Sequence, residues 1–190
     1  MSKVQWKPGT LLYPVPPAMV TCAWQGKANV LTVAWTGITC SDPAMTYISV
    51  RPERYSYDLI RSSGQFVINL THPALTRAAD FCGVRSGRQM DKFAALHLET
   101  EPAFCVDVPL ISQSPMSLEC ETVQVLELGS HHMFLAKILS VDVREDLLDE
   151  KGLHLEKSGL VGYAHGTYYA LGKELGSFGY SVKKSGKKKA

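Results

Sequence analysis

Two long apolar runs separated by four residues set the tightest limit on what this chain can fold into. Residues 116–128 and 133–143 are rich in β-branched and aliphatic side chains, and Gly129-Ser130-His131-His132 supplies a turn between them, so they read as a β-hairpin. In the second run Phe134, Ala136 and Ile138 share one parity while Val141 and Val143 take the other. That switch predicts a bulge near Leu139 and Ser140.

Shorter runs supply further strands. Residues 18–24, a turn at 25–28, residues 29–35 and residues 45–50 read as an antiparallel meander, with Asp42-Pro43 at the bend between the last two. Pro52 stops the third strand, and residues 54–62 carry Tyr55, Leu59 and Ile60 at helical spacing before Gly64. Residues 66–70 suit a buried strand, residues 74–82 return to a helical period, and residues 160–171 form an aromatic-rich strand. Six or more strands with two or three short helices make the chain mainly β and predict a closed barrel, because closure removes exposed edges.

Composition fits one soluble domain over residues 1–182, followed by a lysine-rich, solvated tail at 183–190. The longest uncharged apolar stretch, residues 11–24, contains Pro14, Pro16 and Pro17, so neither a membrane span nor a signal core is expected, and the protein is placed in the cytoplasm. Five cysteines without a C-x-x-C pair argue against disulfides and against a zinc cage, and no metal is expected. The net charge is +2, and removing the five tail lysines leaves the remainder near −3. The tail is the one feature that could meet nucleic acid or anionic lipid, and nothing else supports a nucleic-acid reading.

Dinucleotide and nucleotide signatures are missing, as are the G-x-S-x-G and H-E-x-x-H motifs, so any small ligand is held another way. Three segments offer that. Asn29-Val-Leu-Thr-Val-Ala-Trp-Thr-Gly37 is a strand with one polar face, either an edge strand with a solvated Thr32 or a floor for a flat ring with carbonyls and ring nitrogens. In Ser49-Val-Arg-Pro-Glu-Arg-Tyr-Ser-Tyr57 a strand ends beside a helix N-terminus, where exposed N–H groups, Ser56 and Arg51 converge; the site suits a phosphate, and a capped surface helix is the alternative. In Cys82-Gly-Val-Arg-Ser-Gly-Arg-Gln-Met-Asp-Lys-Phe93, Arg85, Arg88 and Lys92 surround Ser86 and Gly87, as for a shared dianion, although an ion pair of Arg85 with Asp80 is equally open.

In this order and spacing, the three segments resemble the flavin reductase-like family with the FMN-binding split-barrel fold, an antiparallel barrel of Greek-key type. The resemblance runs over residues 14–182 and includes I-S-V-R-P-E-R-Y-S-Y, F-V-I-N-L, L-G-S-H-x-M-F and Y-A-H-G-x-Y-Y-x-L-G. It implies a homodimer with one non-covalent FMN per subunit near the subunit boundary. By the same resemblance Asn29, Trp35, Thr36 and Gly37 flank the isoalloxazine, and Ser49, Val50 and Arg51 line the neighbouring strand. Ser56, Tyr57, Ser86 and Lys92 hold the phosphate, and Cys82 falls on a position against the flavin.

The flavin reductase branch uses a G-D-H motif to place nicotinamide, and here the segment is Gly129-Ser130-His131, with serine for the aspartate. His131 is the candidate for a nicotinamide or flavin contact. The substitution argues for an electron carrier between redox proteins, ferredoxin- or cytochrome-like, in anaerobic reduction of sulfur compounds. An NAD(P)H-dependent flavin or ferric reductase is the first alternative, and a non-catalytic split barrel that binds a ligand is the second.

Overall fold

A computed structural model describes residues 1–182; the lysine tail expected at 183–190 lies outside the described residues. The predicted hairpin is its longest feature. β8 (Met116–Glu127) and β9 (His132–Val143) pair antiparallel, and the register slips where Leu139 goes unpaired, at the expected bulge, and again at Val123. Each slip bends the hairpin, which lets a long pair curl around a core.

Seven strands precede the hairpin, and five of them extend its sheet. They are β1 (Ala18–Trp24), β2 (Lys27–Val33), β3 (Thr36–Ser41), β4 (Ala44–Val50), β5 (Gln65–Asn69) and the two-residue β6 (Thr100–Glu101), which pairs with β7 (Leu110–Ile111) outside the main sheet. The main sheet is antiparallel throughout, in the order β2-β1-β5-β8-β9-β4-β3. The first four strands are therefore not one meander. They form two hairpins at opposite ends of the sheet order, and residues 36–41, expected as a polar bend, are a strand. Asp42-Pro43 closes the β3–β4 hairpin rather than separating β2 from β4. The turn expected at 25–28 contracts to Gln25-Gly26, whose positive φ values of 49° and 75° fit a tight hairpin turn.

The sheet curls until its ends meet: Leu31 and Val33 of β2 share a core cluster with Ile48 and Val50 of β4, and the Ser49 N–H donates to the Trp35 carbonyl at 2.9 Å. Phe66 and Phe134 are fully buried in that cluster. Each such ring contributes about 1.5–3 kcal/mol by leaving water.

Helix α1 (Tyr55–Ser63) sends Leu59 and Ile60 into the same core and ends at Gly64, as its spacing predicts. Helix α2 (Thr76–Val84) begins after a 3-10 turn at Pro73–Leu75 and runs through Gly83 instead of stopping there. It packs on the other face of β2, where Val30, Ala79 and Cys82 form a second cluster. Helix α3 (Lys92–Leu96) was not anticipated; the Asp91 carboxylate caps it by accepting from the N–H groups of Phe93 and Ala94.

Beyond the hairpin lie β10 (Leu148–Asp149) and β11 (Gly152–Leu153), then β12 (Val161–Ala164) and β13 (Thr167–Ala170). The strand expected over 160–171 is thus a hairpin turned at His165-Gly166, where both residues have positive φ. None of the five cysteines is paired; Cys22, Cys82 and Cys120 are buried, Cys40 is half-buried and Cys105 is exposed. Among the described residues no helix is long and apolar enough to cross a membrane.

Candidate functional site

Alternation along β2 turns Asn29, Leu31 and Val33 to one side, towards the place where the sheet's two ends meet. Two cavities open there. The larger, about 390 Å³, is walled by Asn29 and Leu31, the segment from Arg51 to Ser56, Cys82, the loop from Arg85 to Gly87, and Lys92. The smaller, about 150 Å³, continues along β2 to Trp35 and is closed by Ser49, Val50 and His131. Leu31, Arg51 and Arg54 line both, so the two are halves of one groove.

The larger half is cationic. Arg51, Arg54, Arg85 and Lys92 line it against a single acid, Glu53, which pairs with Arg51 at 3.3 Å. Lys92 is only 2% exposed. Its Nζ donates to the carbonyls of Cys82 at 3.4 Å and Arg85 at 3.2 Å, and burial pulls its pKa below the usual lysine range against the pull of the Cys82 and Cys22 thiols. The start of α1 faces the same space with no side-chain cap. Exposed N–H groups and cations there favour an anion with several oxygens.

Three contacts fix the wall. The Asn29 amide donates to the Ser56 hydroxyl at 2.7 Å, joining β2 to α1. Arg88 donates to the Glu53 carbonyl at 2.9 Å and lies over the Tyr55 ring, holding the loop against the start of α1. Gly87 makes this approach possible, since a Cβ there would stand 2.3 Å from Asn29 Oδ1. Burial pushes the Cys82 thiol up to about 11, with Lys92 pulling the other way, so Cys82 stays protonated at neutral pH and is no nucleophile.

In the smaller half the Trp35 and His131 rings lie 4.5 Å apart, tilted by 43°. His131 Nδ1 is 3.0 Å from the Ser130 hydroxyl. Burial, then the Arg51 charge, lowers the His131 pKa, so the ring is neutral at neutral pH.

Of the residues singled out from sequence, Asn29, Arg51, Ser56, Cys82, Ser86 and Lys92 line the larger half, and Trp35, Ser49, Val50, Arg51 and His131 the smaller. Thr36, Gly37 and Tyr57 line neither. The Thr36 hydroxyl donates to the Tyr47 carbonyl at 2.6 Å, and Gly37 pairs with Tyr47. Tyr57 turns into the core, its hydroxyl 2.7 Å from His132 Nδ1 and its ring edge-on to Phe134. Sequence reasoning passed over Leu31 and Arg54. The parity of Asn29 would have found the first, and the second precedes the helix in the segment already marked.

The groove has one multiply cationic end and one flatter end of Ala34, Trp35 and Val50, with polar Ser49 and His131. That is the donor set a flavin phosphate and its ring call for, and Gly87 keeps the space clear of a side chain.

Comparison with known proteins agrees with this geometry. The Flavin reductase like domain family matches residues 10–172. Flavoredoxin of Desulfovibrio vulgaris (Miyazaki F) is 33% identical, with a TM-score of 0.89 over 96% of this chain and 100% of that one. An FMN-binding protein from Thermus thermophilus shares the fold at 24% identity, with a TM-score of 0.79 over 93% of this chain and 99% of that one. An uncharacterized protein of Aeropyrum pernix is 34% identical over 72% of this chain, which spans 52% of that relative's length.

Proposed function

The chain belongs to the flavin reductase like domain family, and from that premise we propose that it binds FMN without a covalent link, one per subunit of a cytoplasmic homodimer. In this reading it carries electrons between redox proteins, ferredoxin- or cytochrome-like, in anaerobic reduction of sulfur compounds. The observation that carries the reading is the single groove with four cations lining its larger half, joined through Arg51 and Arg54 to a smaller half that holds Trp35 and His131. The names of two similar proteins, a flavoredoxin and an FMN-binding protein, support both the carrier role and the choice of flavin.

FMN, when bound, supplies a ring that takes up and releases electrons. The chain's own residues hold and tune it. Arg51, Ser56, Ser86 and Lys92 grip the phosphate, with the free N–H groups at the start of α1 adding to the positive potential. Asn29, its amide given to Ser56, lines the larger half where it would meet the flavin, and Trp35, Ser49 and Val50 would bound the ring. Neutral His131 offers a hydrogen bond near the ring without adding a charge, and the protonated Cys82 packs beside it.

A second reading, the NAD(P)H-dependent flavin or ferric reductase, is favoured by one observation: His131 lies against Trp35, tilted by 43°, at the ring end, where a nicotinamide would have to lie. Two measurements decide. Titrating apoprotein with FMN should quench flavin fluorescence to one equivalent per chain, and a protein that takes up no FMN refutes both readings. Stopped-flow mixing of the holoprotein with NADH, and separately with a reduced ferredoxin, should bleach the flavin rapidly only with the ferredoxin. Fast bleaching by NADH would move the assignment to the reductase.

A further inference from the structure

The groove carries more positive charge than a phosphate monoester uses. With Arg51 and Lys92 assigned to the phosphate, Arg54, Arg85 and Arg88 remain around the opening. Among the described residues the guanidinium groups of Arg54 and Arg85 have no hydrogen-bond or ion-pair partner, and Arg88 meets only the Glu53 carbonyl and the Tyr55 ring. Arg85 and Arg88 are exposed. Their surroundings are apolar and exposed too: Val84 is 71% exposed and Met90 38%, on the same segment, and Trp35 is 37% exposed at the far end of the groove.

This concentration of positive charge stands in a chain whose residues before the lysine tail, these cations included, sum to about −3. Arg54 pulls down the Lys92 pKa at one end of the groove and the His131 pKa at the other, so its field reaches both halves. Exposed apolar side chains on the same segment as unneutralised arginines suit a transient electrostatically steered interface.

Building on the FMN reading above, we propose that Arg54, Arg85 and Arg88, with the exposed Val84 and Met90 that flank the Arg85–Arg88 segment, form the docking surface for an acidic redox protein of the ferredoxin class. A basic, cytochrome-like partner is disfavoured at this face. Each encounter passes one electron from the partner's reduced iron–sulfur centre to the bound flavin. Two partner molecules are therefore oxidised for every flavin fully reduced, and the accompanying protons come from solvent.

The test uses FMN-loaded protein, an acidic plant-type ferredoxin reduced beforehand, and a basic cytochrome c as the counter-probe. The second-order rate of flavin reduction by ferredoxin should fall about tenfold or more between low salt and about 0.5 M NaCl, where charges beyond a few ångströms are screened. Arg88→Glu should slow the low-salt reaction about tenfold and Val84→Glu severalfold, with both converging on the unmodified protein at high salt. Val84 lines neither half of the groove, so its variant holds even if Arg88→Glu loosens the loop. A rate indifferent to salt and to both substitutions, or one that favours cytochrome c at low salt, overturns the proposal. So does an Arg88→Glu variant that loses FMN while labelled ferredoxin still binds, because the rim then belongs to the cofactor. If the protein takes up no FMN, the function reading fails by itself. Fluorescence anisotropy of labelled ferredoxin on the apoprotein then judges the surface: salt-sensitive binding keeps it and no binding removes it.

Discussion

The cationic groove and a second cavity, under the end of the long hairpin, have nearly the same volume, 390 and 410 Å³. Their charges are handled in opposite ways. The second cavity is lined by Glu101 and Asp142, with Arg144 committed to Asp146 through hydrogen bonds of 2.5 and 2.9 Å. Beside it Glu119 is fully buried, and its carboxylate accepts three N–H groups, from Phe104 at 2.7 Å, Cys105 at 2.6 Å and Val106 at 3.0 Å. Glu119 is thus satisfied by backbone from the same chain, while Asp142 accepts only the Ser140 hydroxyl and leaves Oδ2 buried without a partner. In the groove Arg54 and Arg85 are left without such partners. Size therefore does not mark the site; unspent charge does.

The largest expected effect tests the structural half of that contrast. Glu119→Ala leaves three N–H groups, one buried and two half-buried, without their acceptor, which costs about 3 kcal/mol. For a chain of this size that is a fall in Tm on the order of 10 °C. FMN affinity of the folded protein should not change. A parallel loss of FMN binding would break the comparison by showing that the two regions are not independent.

Substitutions in the groove should do the reverse, weakening the ligand more than the fold. Gly87→Ala puts a methyl group 2.3 Å from Asn29 Oδ1 and 2.7 Å from the Tyr55 ring, so Asn29 must leave Ser56. Overpacking of this kind costs about 1–3 kcal/mol, and FMN binding followed by fluorescence should weaken by about tenfold or more. Lys92→Met keeps the stem and removes the charge. With a charged hydrogen bond contributing about 1.5–3 kcal/mol, the FMN Kd should rise about tenfold or more. A variant that keeps stoichiometric FMN at micromolar protein removes Lys92 from the phosphate seat.

Much of this arrangement is legible in the sequence, for reasons that particular residues show. The β8–β9 hairpin announces itself because its side-chain parity is set by burial, and the switch at Leu139 is visible as a break in that parity. β3 is not legible: Thr-Gly-Ile-Thr-Cys-Ser offers no buried alternation, and Ile38 is 69% exposed. The cation clusters stand out against a chain that is otherwise acidic. Tyr57 lines neither half of the groove because of helical phase. Each residue of a helix turns about 100°, so Tyr55 and Ser56 reach the groove while Tyr57 swings into the core against Phe134. The Thr36 hydroxyl does not line the groove, because it has a nearer acceptor, the Tyr47 carbonyl, that only strand pairing reveals.

The smallest expected effect sharpens the comparison through pH. Burial, and then the charges of Glu119 and Glu101, raises the Asp142 carboxyl to about 6, against the hydroxyl of Ser140, which donates to it at 3.1 Å. An acid whose pKa is higher folded than unfolded binds more protons in the native state between the two values. Stability should therefore decline as pH rises from about 4 through about 6, and the loss is complete above that. Asp142→Asn mimics the protonated form and should flatten that decline, raising stability at pH 7 relative to the unmodified protein while leaving it nearly level at pH 4. Because Asp142 is partly open to solvent, the gain is modest, and denaturant midpoints at several pH values suit it better than one melting scan. FMN affinity measured across the same range should follow the groove instead. If Asp142→Asn alters it, the acid-lined cavity and the groove are coupled through the β8–β9 hairpin, and the division between the two regions fails.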